Sequence, residues 1–309
     1  MNLRASLCLA ALVVLASPHV GLSGAVRDTI ADKGSSCSPG KTGAHGEGSL
    51  RATRPANLPF RLSSGYLIEV DGRIGDQGNL KFLLDTGSTI SILDSRVANE
   101  LRLNRRPADS FGFDRKLHWD RATIPEVEFG QVRACNVEML VGKLAGYSAL
   151  AKHVDAVIGT DLLKLTDFSI DYDTSTIVFL AGQREYTPPA EPLSACIILE
   201  LLVQGHPLRL IVDTGFQGLL LYRERLREQI PTLRTVGNSA AVTLGGSLDA
   251  IQVELPDVTF GTRTDAVTAL LVKGPPADTL PDVVGVVGLT PLKARRVHFD
   301  FGKKKLTWE

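Results

Sequence analysis

One tripeptide occurs twice in this chain of 309 residues, both times in the same setting. Asp85-Thr86-Gly87 lies inside LLDTGSTISIL (Leu83–Leu93), and Asp213-Thr214-Gly215 lies inside LIVDTGFQGLLL (Leu210–Leu221). Each follows one apolar run and precedes another. A plain turn between strands has no need of a carboxylate there, and the recurrence ties both halves of the chain to one plan. Three further pairs of segments keep the same order. PEVEFG at Pro125–Gly130 returns as PDVTFG at Pro256–Gly261, and AVIGTDLL at Ala156–Leu163 as GVVGLTPL at Gly285–Leu292. DFSIDYDTSTIVF at Asp167–Phe179 returns as VHFDFGKKKLTW at Val297–Trp308. Four landmarks at a nearly constant offset of about 130 residues mark an internal duplication of one module.

The boundaries follow from composition. Arg4 precedes an apolar stretch, Ala5–Ala16, and small residues follow it, so residues 1–23 read as a secretory signal peptide. The other reading is an apolar N-terminal core helix or an uncleaved anchor. Residues 24–59 are rich in Gly, Ser, Thr, Lys and Arg, and read as a disordered or pro-like linker. Residues 60–182 and 193–309 are the two modules, joined where Pro188, Pro189 and Pro192 mark a connection. Each module reads as mostly β, with short alternating runs at Leu67–Val70 and Leu80–Leu84 and a hairpin over Phe168–Phe179. One short helix follows each Asp-Thr-Gly, over Ser95–Leu101 and Tyr222–Ile230.

Composition narrows the function classes. The chain is 44% hydrophobic, 22% charged and formally neutral, which offers no basic field for nucleic acid and no polybasic patch for a membrane. The six histidines are scattered and no cysteine pair has C-x-x-C spacing, so no metal and no other cofactor is expected. Export would remove Cys8. Cys37, Cys135 and Cys196 then form one disulfide and one free thiol, or three free thiols.

Two aspartates on facing loops have a chemistry that one lacks. Like charges a few ångströms apart do not both ionise easily, so the pair holds one proton between them. One carboxylate can then take a proton from water while the other gives one to a carbonyl oxygen. A duplicated module supplies the geometry, because pseudo-two-fold symmetry brings equivalent loops together at the axis. Gly87 and Gly215 permit the turn, Thr86 and Thr214 offer hydroxyls to lock one loop to the other, and Ser88 is placed to hydrogen-bond the outer oxygen of Asp85.

From about Phe60 to Glu309 the chain resembles the aspartic proteases, pepsin-like and retroviral-protease-like, in which each lobe has an Asp-Thr/Ser-Gly loop and, later, two apolar residues followed by Gly. Val157-Ile158-Gly159 and Val286-Val287-Gly288 match that second signature. The resemblance implies an all-β chain of two pseudo-symmetric acid-protease β-barrel lobes with a cleft between them. It implies Asp85 and Asp213 as the catalytic pair, with Thr86, Gly87, Ser88, Thr214 and Gly215 supporting their loops. The partner would be a peptide or protein substrate, and the exported chain would work as a monomer in the periplasm or outside the cell, off the membrane once the signal is cleaved.

Two places depart from the family pattern. Phe216 stands where Ser or Thr usually follows the second Asp-Thr-Gly, as in some prokaryotic relatives of the retroviral proteases, and makes Asp213 the more easily protonated partner. The family's flap is expected at Leu244-Gly245-Gly246, and its counterpart in the first half, around Phe113, is bulkier and charged. Phe113 or Trp119 could approach the cleft, with core packing the expected role of Trp119. The alternative function is a non-catalytic peptide-binding or scaffold protein on the same fold.

Overall fold

The computed structural model describes residues 57–111, 116–144, 153–180, 182–187, 196–227, 229–230, 233–243, 246–275 and 282–309, with the backbone at 8–9 and 15–16. The last two are two-residue strands, β1 (Cys8–Leu9) and β2 (Leu15–Ala16). The first half then runs β3 (Asn57–Ser63), β4 (Leu67–Ile74), β5 (Gln77–Leu84), β6 (Ile92–Asp94) and α1 (Ser95–Glu100). It continues through β7 (Arg106–Phe111), β8 (Lys116–Phe129), β9 (Val132–Gly142), β10 (Ala156–Ile158) and α2 (Thr160–Leu163), and ends in β11 (Phe168–Asp171) and β12 (Thr176–Phe179). The second half comprises β13 (Ile198–Val203), β14 (His206–Val212), β15 (Leu219–Tyr222), α3 (Arg223–Arg227), β16 (Arg234–Thr243), β17 (Gly246–Phe260) and β18 (Arg263–Val272). It closes with β19 (Gly285–Val287), a 3₁₀ turn at Thr290–Leu292, β20 (Arg296–Asp300) and β21 (Lys305–Trp308).

The pairings of the first half recur in the second. β10 lies parallel to β5 and antiparallel to β6, and β19 lies parallel to β14 and antiparallel to β15. β6 runs parallel to β9, and β15 to β18. These short central strands are buried on both faces, which is why they read as unbroken apolar runs rather than alternating ones. The long strands β8 and β17 each turn back as hairpins at both ends, towards β7 and β9 in one half and β16 and β18 in the other. The register of β17 against β18 shifts between Leu255 and Val258, where Pro256 cannot donate to the ladder.

The two halves are sewn together by β11 and β20. They pair antiparallel, Phe168 opposite Phe299 and Ile170 opposite Val297, and carry β20 and β21 into the first half's sheet. Phe168 and Phe299 are both buried and stack with ring centroids 4.9 Å apart. At the end of the seam Arg296 donates to Asp171 Oδ2 at 2.6 Å and holds that carboxyl down at about 2.

Helix bounds differ from the sequence expectation. α1 stops at Glu100, and Leu101 serves as its cap. α3 is shorter than Tyr222–Ile230, because Tyr222 is the last residue of β15, paired with Val272. A fully apolar LLLY run satisfies its backbone in the sheet before the charged Arg223–Arg227 can turn into a helix. The first described strand of this half begins at Asn57, ahead of Phe60, because β3 fills the space between β4 and β12. Much of the Gly182–Leu193 connection lies outside the described residues. Cys135 is disulfide-bonded to a partner outside the described residues, and Cys196 is a buried free thiol.

Replacing Phe299 by Ala is expected to destabilise the protein by about 3–5 kcal/mol, since it empties the centre of the seam. Urea unfolding measures it. A loss below about 1 kcal/mol would mean that the two halves do not share this core.

Candidate active site

The two Asp-Thr-Gly loops meet, and the reason starts in the strands that feed them. β5 delivers Asp85 with Leu83 and Leu84 buried behind it, and β14 delivers Asp213 behind Leu210, Ile211 and Val212. The neighbouring strand fixes each aspartate by its backbone. Asp85 N donates to Ile158 O and Asp213 N to Val287 O, each at 2.9 Å. The glycine that follows each pair of apolar residues has a steric reason. A Cβ on Gly159 would lie 2.8 Å from Ser88 O, and one on Gly288 would lie 2.0 Å from Phe216 O. Each Asp-Thr-Gly loop rests on bare backbone at that point.

The threonines lock the loops together. Thr86 N donates to Thr214 Oγ1 at 3.0 Å, and Thr214 N donates to Thr86 Oγ1 at 3.1 Å. Each hydroxyl passes its own proton to the opposite strand, Thr86 Oγ1 to Val212 O at 2.8 Å and Thr214 Oγ1 to Leu84 O at 2.6 Å. All four bonds are buried, so each would cost its full desolvation if broken on one side.

The carboxyls lie on top of this lock, and both are almost fully buried. A Cβ on Gly87 would stand 2.3 Å from Asp213 Cγ, which places the Asp213 carboxyl directly over the first loop and requires glycine there. The two acids are not equivalent. Asp85 Oδ1 accepts from Gly87 N at 2.9 Å and Ser88 N at 3.1 Å. Asp213 Oδ1 accepts from Gly215 N at 2.8 Å, and its Oδ2 is buried with no hydrogen-bond partner among the described residues. Burial pushes the Asp213 carboxyl well above the usual carboxylate range. The charge of Asp85 beside it pushes the same way, against the Gly215 N–H.

Phe216 is buried, in an apolar cluster with Cys196, Ile211, Leu220 and Tyr222. Phe216 also lines a pocket of about 160 Å³ to which both halves contribute, with Leu62, Tyr66, Tyr172, Thr214 and Leu289. Burial, with the charges of Asp213 and Asp85, pushes the Cys196 thiol up to about 12, which leaves it protonated and inert.

Of the residues singled out in the sequence, Asp85, Thr86, Gly87, Ser88, Asp213, Thr214 and Gly215 come together. Ser88 plays a different part from the one expected. Its hydroxyl donates to Ile90 O at 2.8 Å, and it is the backbone N–H of Ser88 that reaches Asp85. Gly246 opens β17 opposite Thr243, whose hydroxyl donates to Gly246 O at 3.0 Å, so the pair closes a hairpin at φ 107° on the glycine. Phe113, Leu244 and Gly245 lie outside the described residues, although Phe111 pairs with Lys116 and Thr243 with Gly246 on either side of them. Trp119 packs with the cluster of Leu67, Ile92 and Leu140 and lies against Gly142. Among the described residues no three His, Cys, Asp or Glu side chains gather as a metal site.

Sequence reasoning missed Asp161. It is fully buried and accepts from Ser91 N at 3.0 Å, Ser91 Oγ at 2.7 Å and Leu162 N at 3.0 Å. Ser91 Oγ in turn accepts from Gly159 N at 3.0 Å. The network fastens the segment after Asp85 to the segment after Ile158. The signal was an acid inside the apolar run AVIGTDLL, which demands buried partners. The second copy has Thr290 there, so comparing the repeats passes over it.

Residues 70–162 match a family model described as aspartyl protease, a segment that holds the first Asp-Thr-Gly and the first apolar-apolar-Gly. Among solved structures, a retropepsin-like aspartic protease from Rickettsia conorii is similar at 18% identity over 32% of this chain and 78% of that one. Its TM-score is 0.25, too low to establish a common arrangement of the whole chain. No curated protein matches the chain.

Two outcomes are expected from this geometry. Thr86→Val keeps the shape and strands Thr214 N and Val212 O, so it should cost about 2–5 kcal/mol in urea unfolding, and Thr86→Ser far less. Equal costs would show that the hydroxyl is not what locks the loops. Burial raises Asp161 to about 6, above its unfolded value, so its stabilising proton is present at pH 4 and lost as pH rises through 6. The stability of Asp161→Asn relative to wild type should therefore rise by about 2–3 kcal/mol between pH 4 and pH 7. A pH-independent difference would contradict that assignment.

Proposed function

We propose that this chain is an aspartic endopeptidase of two pseudo-symmetric β-barrel lobes, in which Asp85 and Asp213 activate a water for hydrolysis of a peptide bond. The observation that carries this reading is the buried, asymmetric pair. Asp85 is the member served by two backbone N–H groups, which suits the charged base. Asp213 is the member whose proton is held, which suits the acid. In the forward step Asp85 takes a proton from water as its oxygen bonds to the carbonyl carbon, and Asp213 gives its proton to the carbonyl oxygen. Collapse of the tetrahedral intermediate breaks the C–N bond as the proton on Asp85 passes to the leaving nitrogen and one hydroxyl proton of the intermediate returns to Asp213, which restores the starting protonation state. Two acids exchange protonation states, and no metal or organic cofactor enters the balance.

An extended peptide would lie under the hairpins β7–β8 and β16–β17, held by strand-type backbone bonds. The chain's own N-terminal stretch supports that mode: β1 pairs with Ala241 and Val242, and β2 with Ser110 and Phe111, at the inner ends of both hairpins. Removal of residues 1–23 on export would open both edges to substrate. The disulfide at Cys135 fits an oxidising compartment, periplasmic or extracellular. Both aspartates come from one chain, so a monomer suffices.

The test is cleavage of an unfolded protein mixture by the mature chain across pH, beside Asp85→Asn and Asp213→Asn. Each variant should lose about 10²–10⁴-fold in kcat/KM while remaining folded. The wild-type profile should be bell-shaped. Activity falls on the acid side when the base is protonated, and on the alkaline side when the shared proton is lost. Undiminished cleavage by either variant, or a profile flat into alkaline pH, would defeat the mechanism. Absence of cleavage at every pH would leave a peptide-binding module.

A further inference from the structure

The second half has a pocket that the dyad does not use. It lies against α3, has a volume of about 240 Å³, and its walls are Leu226, Ile230, Leu233, Ile251, Val253 and Leu271. Arg223, Arg227 and Thr235 complete the lining. An apolar cavity of about 150 Å³ already takes up benzene, so this one has room for a branched or aromatic side chain or a short acyl chain.

The cations set the other half of the ligand. Arg223 is half-buried, and its Nε is fully buried without a hydrogen-bond partner among the described residues. Arg227 is exposed and meets Glu224 at 3.6 Å, with both side chains in solvent, a contact of small worth. Other helix guanidiniums are engaged: Arg225 reaches Val283 O and Pro275 O, and Arg96 on α1 pairs with Glu100 at 2.9 Å. A buried guanidinium N–H without an acceptor is costly, and an anion relieves that cost.

We propose that this pocket binds an apolar monocarboxylate, its hydrocarbon part against the aliphatic walls and its carboxylate on Arg223 and Arg227. Two sources share that chemistry: a free medium-chain fatty acid, and the C-terminal residue of a peptide ending in a large apolar side chain. The site stands apart from the dyad, and binding there does not depend on the reading given to Asp85 and Asp213.

Isothermal titration calorimetry on the full chain tests it with four probes: octanoate, N-acetyl-leucine, and their uncharged counterparts octanol and N-acetyl-leucinamide. At least one carboxylate should bind saturably, and its uncharged counterpart about tenfold more weakly. Arg223→Gln should weaken the carboxylate by a similar factor, and Thr235→Trp, which fills the pocket from its exposed side, should abolish the heat. Octanoate binding alone points to the lipid source and N-acetyl-leucine alone to the peptide. Absence of saturable binding by either carboxylate would overturn the proposal. So would equal binding of charged and uncharged probes, or binding unaffected by Thr235→Trp.

Discussion

Everything in the candidate site depends on holding two carboxyls face to face where water is scarce. Left to themselves two such groups repel, and each prefers solvent. The chain overcomes both preferences beneath the acids rather than at them. Thr86 and Thr214 cross-link the loops through four buried hydrogen bonds, and each aspartate is tied by its own N–H to a parallel strand. The acids therefore have no freedom to separate without breaking bonds that have no water to replace them. What repulsion remains is relieved by keeping a proton on the pair, and the protein directs that proton by giving Asp213 fewer backbone donors than Asp85.

That arrangement explains why so much of the site was legible in the sequence. Its support is backbone and small side chains at fixed offsets from each Asp, so it had to be written as Asp-Thr-Gly and again as apolar-apolar-Gly. Gly87 has no room for a Cβ beside Asp213, and Gly159 and Gly288 have none beside the loops they carry. Such positions leave a trace in any single sequence. The strands of the seam were legible as strands, because Phe168 and Ile170, like Val297 and Phe299, alternate with other residues as a half-buried strand must, but their pairing with each other was not.

What was not legible depended on choices among several satisfactory partners. A serine after Asp-Thr-Gly has two ways to serve the carboxylate, by hydroxyl or by N–H, and spacing does not separate them. Here the hydroxyl turns to Ile90 O. The end of β15 was missed because Tyr222 is compatible with either a helix start or a strand end, and pairing with Val272 decided it. Asp161 was missed because its partner Ser91 is remote in sequence and neither residue recurs in the second copy. Leu244 is picked by the Gly-Gly turn beside it and Phe113 by the repeat offset from there, and neither signal says what a hairpin tip touches.

Two Asp-Thr-Gly loops carried on one chain, as opposed to loops from two identical chains, are free to differ. The differences fall beside the two aspartates. The first half has the buried Ser91–Asp161 network, which stiffens the segment leaving the aspartate with two N–H donors. The second half has Phe216 in an apolar cluster, which dries the surroundings of the aspartate with one donor. Two identical loops would leave the proton free to sit on either acid. Unequal loops bias it towards Asp213, whose buried carboxyl accepts from one backbone N–H where Asp85 accepts from two.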